Sequence, residues 1–311
     1  MSNLLSRVER LHISVVATTV GVCTLGNVYA GLGFPLIRHM SMIFGTVILL
    51  AYLYKFIKYP QAIKNDYKNT LLASLYGVVT MLMMLISSYY IKWFSFFKYI
   101  IMLAVILHGV QIVIFLYKYL FKDFDKVFFI PSWFVTLNGI MVSTVACFEY
   151  LPSTMAKIVF YWGVFAYTVF VPFIIVRLRT VEIKPLTFHT QAILIAPCSL
   201  IVATYLKIAE VPNLIFLNVY YACVVLSVIF VIITLPKFFS FEFVPTYAGL
   251  TFPMAIGTLC SRMYSAYLIN NGFEKFGGYV NQLAGIQLYL TTAIIVYVLF
   301  NFYLIFMKKE N

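Results

Sequence analysis

Charge is what this sequence has least of. Of its 311 residues, 10 are Asp or Glu and 22 are Lys or Arg, so charged residues make up 10% of the chain against about 25% in soluble globular proteins. A surface that poor in charge excludes a water-soluble fold. Histidine is as sparse: His12, His39, His108 and His189 are spaced so that no two share a helical turn, which excludes a metal centre of the HExxH kind. The five cysteines, Cys23, Cys147, Cys198, Cys223 and Cys260, are odd in number, form no CxxC pair and lie within apolar runs. They read as small packing residues rather than disulfides or ligands. Also missing are a Walker A lysine loop, a GxSxG elbow and an acidic pair suited to intramembrane proteolysis. Neither an enzyme nor a cofactor is expected.

What is present is apolar. Hydrophobic residues supply 63% of the chain, and the mean hydropathy is +0.97. At roughly 20 residues per span, the sequence predicts an all-α polytopic membrane protein with ten transmembrane helices, residues 1–311 forming a single membrane domain and no soluble one. The spans read 12–33, 36–57, 70–90, 95–120, 130–150, 154–177, 187–207, 213–236, 245–269 and 279–306. The stretch after Arg7 and Arg10 has some features of a signal peptide, with Val28-Tyr29-Ala30 as a loose cleavage site, but it is longer than a usual h-region and is read as the first span. The net charge of +12 is no nucleic-acid footprint, because the basic residues stand in short gaps between apolar runs. Fifteen of them, among them Lys55, Lys64, Lys118 and Arg177 with both tails, fall in gaps on one side, whereas six, Arg38, Lys92, Lys98, Lys157, Lys207 and Lys275, fall on the other. The positive-inside rule then places both termini in the cytoplasm, as expected of a multi-pass plasma-membrane protein.

Odd and even spans differ in character. Even spans are bulky and lipid-like, while odd spans carry small, hydroxyl and helix-breaking residues at mid-membrane: Thr18 and Gly21; Gly77 and Thr80; Asn138, Gly139 and Ser143; Pro197 and Ser199; Thr251, Pro253, Gly257 and Thr258. An inner ring of five odd helices wrapped by five even ones explains the alternation, with Thr18, Thr80, Asn138, Ser143, Ser199, Thr251 and Thr258 as pore-lining candidates. In this reading Gly21, Gly77, Gly139, Pro197, Pro253 and Gly257 kink the inner helices. Close helix packing also favours small residues and stays open as the alternative for each span. Similar Pro-containing starts at Pro131, Pro185 and Pro245 suit first helical turns and suggest five helical hairpins.

No acidic residue is predicted at mid-membrane, and a cation pump needs one. A path lined by hydroxyls and amides with no fixed negative charge suits anions. Phe252 precedes Pro253, whose ring removes a ladder hydrogen bond and biases the residue before it away from helical geometry. Either Phe252 is turned into the lumen as a plug, or Pro253 kinks a packed helix and Phe252 faces a neighbour. Arg262 lies ten residues further on, about 15 Å along a helix, where it either snorkels to the interface or charges an outer vestibule. His189 is the one titratable candidate for proton coupling.

The run Val244-Pro245-Thr246-Tyr247-Ala248-Gly249-Leu250-Thr251-Phe252-Pro253-Met254-Ala255-Ile256 resembles the ninth-helix signature of the tellurite-resistance/dicarboxylate transporter family, which includes bacterial TehA and the plant slow-type anion channels. Ala196-Pro197-Cys198-Ser199 is similar to its seventh-helix pattern, and Pro131-Ser132-Trp133-Phe134 to the start of its fifth. The resemblance implies ten helices in five hairpins around a central pore, commonly a homotrimer, that passes small anions or C4-dicarboxylates such as malate through the lipid bilayer. It assigns the occluding phenylalanine to Phe252 and a vestibule charge to Arg262. Leu137-Asn138-Gly139 departs from the more proline-rich form of the fifth helix. A proton-coupled dicarboxylate carrier, or a sulfite- or tellurite-related transporter, shares the fold and is the competing mechanism.

Overall fold

A computed structural model describes residues 8–307; Arg7, Lys308 and Lys309 of the charge count lie outside the described residues. The regular structure of those residues is all helical, with no strand among them. Eight helices are long and apolar enough to cross a bilayer: α1 (Ile13–Ala30), α2 (Pro35–Lys58), α3 (Thr70–Tyr90), α4 (Phe97–Lys122), α6 (Ser153–Thr180), α7 (Pro185–Ile208), α8 (Leu214–Phe238) and α10 (Glu274–Met307). Two of the ten expected spans fall short of that standard, for different reasons. The fifth, α5, is broken into Trp133–Asn138, a 3-10 turn Gly139–Met141, and Val142–Cys147. The ninth, α9 (Thr251–Asn270), is one helix of 20 residues whose hydropathy is held down by Arg262 and its Thr, Ser and Tyr residues.

Local sequence explains where the helices begin. His12 Nδ1 accepts from the Ser14 N–H at 3.1 Å, Asn69 Oδ1 from Leu71 and Leu72 at 2.9 and 3.3 Å, and Asn213 Oδ1 from Phe216 at 3.0 Å, each supplying an acceptor for N–H groups that have none within the helix. Pro35 and Pro185 occupy first turns, where no N–H is missed. At the end that holds the starts of α1, α3 and α7, Lys55 Nζ donates to Leu11 O at 2.9 Å and Lys118 Nζ to Tyr67 O at 2.6 Å. The Arg177 guanidinium bonds the Lys126 and Val127 carbonyls.

Burial alternates along the chain. The most apolar stretches of α1, α3 and α7 are 72%, 89% and 72% buried, whereas those of α2, α4, α6, α8 and α10 are 33%, 39%, 39%, 28% and 28% buried. Nearly all of α5 and most of α9 are buried too. In a bilayer the exposed faces of the even helices meet hydrocarbon, which accounts for side chains such as Leu107, Val113, Ile158, Leu226 and Val296 standing free. The odd helices are where polar groups are enclosed by protein.

Candidate functional site

Two cavities lie among the buried helices. The first takes its walls from α1, α3, α5, α7 and the α9 segment, including Ala17, Val78, Phe134, Ile193 and Pro253. It leaves about 30 Å³ for the centres of water molecules and is almost wholly apolar. The second, about 280 Å³, is bounded by Thr24, Asn27, Arg38, Ser88, Lys207 and Leu259 among others. Among the described residues Phe252 is the one that lines both. Its buried side chain borders both the narrow apolar space and the wider one, whose wall mixes polar and apolar residues.

The backbone that carries Phe252 is fixed by close approach. A 3-10 stretch, Pro245–Leu250, leads into α9, whose α-helical turns start at Thr251. Gly21 of α1 faces that junction, and a Cβ there would stand 2.8 Å from the Phe252 nitrogen and 2.9 Å from the Thr251 carbonyl carbon. The missing side chain is the space in which the Thr251–Phe252 peptide sits. Two expectations change here. Helix α1 runs unbroken through Gly21, so this glycine provides room for a neighbour. Pro253 lies in the first turn of the α-helix and Phe252 is itself helical, so the irregular backbone is upstream of the pair. Pro197 repeats the pattern, since a 3-10 stretch His189–Leu194 precedes the α-helical part that opens at Ile195.

The hydroxyl and amide candidates are placed differently from expectation, for none of the seven lines either cavity. Thr18, Ser143, Ser199 and Thr251 donate to carbonyls three or four residues back in their own chain, Ser14, Ile140, Ile195 and Ala248 respectively. Thr258 does the same to Met254 and lies 3.2 Å from Thr291 Oγ1 of α10. Asn138 Nδ2 reaches outward to Gly163 O of α6 at 2.9 Å. Thr80 is 2.6 Å from His108 Nδ1, whose other ring nitrogen lies 2.9 Å from Thr136 O; with Nε2 protonated, both contacts are satisfied by the neutral ring. His108, on α4, fills the space beside Gly77 and Gly139, where Cβ atoms would come within 3.1 and 3.0 Å of its Cε1. Gly257 packs on Ile195, 2.8 Å from where its Cβ would be. Of the proposed kinking residues, Gly139 and Pro253 touch the first cavity, and Gly21, Gly77, Pro197 and Gly257 line neither.

Arg262 is half-buried and lines neither cavity. The cations that reach the second cavity are Arg38 of α2 and Lys207 of α7, which sequence reading counted as loop charges alone. Their signal was position: each closes or opens an apolar span on the side poor in basic residues. His189 is fully buried, stacked on Tyr247 with centroids 3.7 Å apart and bonded through Nε2 to Phe238 O at 2.9 Å, and it is absent from both cavity walls.

A sequence profile for voltage-dependent anion channels matches residues 10–306, nearly the whole chain. The chain belongs to the voltage-dependent anion channel family. This is the family whose resemblance was carried by the run around Phe252. Members of the voltage-dependent anion channel family are channels and transporters, so anion transport across a bilayer is the activity class and small anions are what passes. No curated protein gives a significant match.

Proposed function

We propose that the protein is an anion channel or facilitator of the plasma membrane, in which ten helices form five hairpins around one pore and Phe252 is the gate. The observation that carries this reading is that Phe252 alone is shared by the two cavities. The first is bounded entirely by odd-numbered segments, and the strong burial of α1, α3 and α7 against the even helices supports an inner ring wrapped by an outer one. With both termini cytoplasmic, the first cavity is the inner half of the path and the second the outer vestibule. An ion entering from outside meets a ring face backed by dry apolar walls. Such a stretch blocks charge because an ion there loses its hydration with nothing in exchange.

The proton-coupled alternative requires a titratable group on the path. No His, Asp or Glu lines either cavity, which favours passive flow down the electrochemical gradient. Replacing Phe252 with Ala removes the plug, and anion conductance in proteoliposomes or oocytes is expected to rise at least tenfold with a reversal potential that follows the anion gradient. Unchanged flux from a folded F252A protein would overturn the gate.

A further inference from the structure

A third cavity, about 550 Å³, shares no residue with the other two. It lies on the side richer in basic residues, between the segment that leads into α3 and the end of α4, and its size is within the roughly 300–1,000 Å³ usual for small-molecule sites. The last turns of α4, Tyr117–Lys122, are π-helical, a rare geometry that recurs at functional sites. Here it turns two successive side chains onto one acceptor: Lys118 Nζ donates to Tyr67 O at 2.6 Å, and the Tyr119 hydroxyl donates to the same carbonyl. Both line the cavity together with Lys68, Asp123 and Asp125, so the wall carries two cations and two anions. Among the described residues no ion pair joins them. Thr70, only 8% exposed, lines the same space, and its hydroxyl bonds no protein group among the described residues. A buried hydroxyl in that state is costly until a polar partner reaches it. In the same stretch of chain Tyr117, Phe121 and Phe124 stand exposed, as on a helix face that meets hydrocarbon.

We propose that this cavity binds the zwitterionic headgroup of a phosphatidylethanolamine, with the phosphate on Lys68, Lys118 and the Thr70 hydroxyl and the primary ammonium on Asp123 and Asp125. The charge balance of the wall selects this chemistry. Lysine and hydroxyl donors make charge-assisted bonds to phosphate oxygens, and a purely anionic headgroup would also face two carboxylates that repel it. Choline carries the same charge as ethanolamine but has no N–H, so it cannot donate to a carboxylate. Asp125 has room for such a donor, since the bond at 2.8 Å that caps the Val127 N–H uses only its Oδ1. Position selects the lipid over a free headgroup of the same chemistry. The cavity stands at the end of a membrane span, where headgroups meet hydrocarbon, and the exposed rings of Tyr117, Phe121 and Phe124 offer the acyl chains apolar contact that a soluble phosphodiester cannot use. The site is independent of Phe252 and of the pore.

Native mass spectrometry of the detergent-purified full chain counts bound lipid directly. Phosphatidylethanolamine should bind about fivefold more tightly than phosphatidylcholine with the same acyl chains, the ratio expected for a charge-assisted bond at a solvent-accessible site, and more tightly than phosphatidylglycerol. Asp123→Asn with Asp125→Asn, which keeps an acceptor for Val127, should reduce phosphatidylethanolamine to the level of phosphatidylcholine, and Asp123→Asn alone should move it part of the way. Lys68→Gln, at an exposed position, should weaken both lipids about threefold. Lys118 stays unaltered because its bond to Tyr67 holds the end of α4. Gel filtration and melting curves show that each variant is folded. A preference for ethanolamine that persists in the folded double variant overturns the site. Tighter binding of phosphatidylglycerol makes the cavity a plain basic patch and overturns the ammonium assignment. Glycerophosphoethanolamine, the soluble headgroup, should displace the lipid only at more than about tenfold higher concentration; displacement at equal concentration overturns the lipid as the ligand.

Discussion

At the residue scale, the site depends on an atom that is absent. Gly21 leaves room for the Thr251–Phe252 backbone, and a methyl group there would press on main chain at 2.8 to 2.9 Å, where no flexible side chain can yield. Gly21→Ala should therefore cost about 1–3 kcal/mol, the usual range for overpacking, and should also displace the phenylalanine. The expected outcome is a lower melting temperature in detergent together with altered basal anion flux. A stability loss with wild-type flux would show that the backbone relaxes without moving the ring. His12 gives a second residue-scale prediction. Burial lowers its pKa below the usual 6.5, with Asp66 opposing that shift and Lys55 adding to it, so the folded state prefers the neutral ring whose Nδ1 caps α1. A depressed pKa means that the unfolded chain binds the extra proton first; this contribution to stability is complete above about pH 6.5 and is lost as the pH falls from there through the folded value. Melting curves between pH 7.5 and 5 should show the decline, and His12→Asn, which can cap without titrating, should flatten part of it.

At the element scale, Thr80, Asn138 and Thr258 contact neighbouring helices, while Thr18, Ser143, Ser199 and Thr251 are satisfied one turn back in their own chain. His108 reaches from α4 to Thr80 on α3 and to the Thr136 carbonyl on α5, and its ring fills the space beside Gly77 and Gly139. His108→Leu keeps the bulk and loses both bonds, so it should destabilise by about 1 kcal/mol, the scale of a side-chain hydrogen bond between membrane helices. Gly139→Ala should be damaging alone, because its Cβ would meet Met81 Sδ at 2.7 Å and His108 Cε1 at 3.0 Å, and less damaging in a His108→Ala background. Additive losses in that double-mutant cycle would show that the two residues do not share the space. This packing role also explains what the sequence could and could not disclose. Span limits were legible to within a few residues because apolar runs end where charge begins. Which helices are enclosed was legible too, since only enclosed helices tolerate so many hydroxyls. The direction each hydroxyl faces was not, because a Thr or Ser that bonds the carbonyl one turn back is satisfied at any rotation about the helix axis. Composition therefore marks enclosed helices and leaves the rotation of each side chain open. Arg38 and Lys207 were missed for the converse reason: a cation at a span end resembles an ordinary interfacial residue until the fold brings two such ends to one cavity.

At the scale of the whole molecule, everything said about inside and outside hangs on the distribution of basic residues. The side holding Lys64, Lys68 and Lys118 also holds the starts of α1, α3 and α7 and the narrow apolar cavity; the opposite side holds Arg38, Lys207 and the wide cavity. The positive-inside rule predicts that the wide cavity faces outward. Single-cysteine variants test this directly. Lys64 and Lys275 are both exposed and lie in gaps assigned to opposite sides. The native thiols interfere little, since Cys23, Cys147, Cys198 and Cys260 are buried, and the unmodified protein supplies the baseline for half-buried Cys223. A membrane-impermeant maleimide should label Lys275→Cys on intact cells and label Lys64→Cys only after permeabilisation. The reverse pattern would leave the cavities and Phe252 where they are but turn Arg38 and Lys207 toward the cytoplasm.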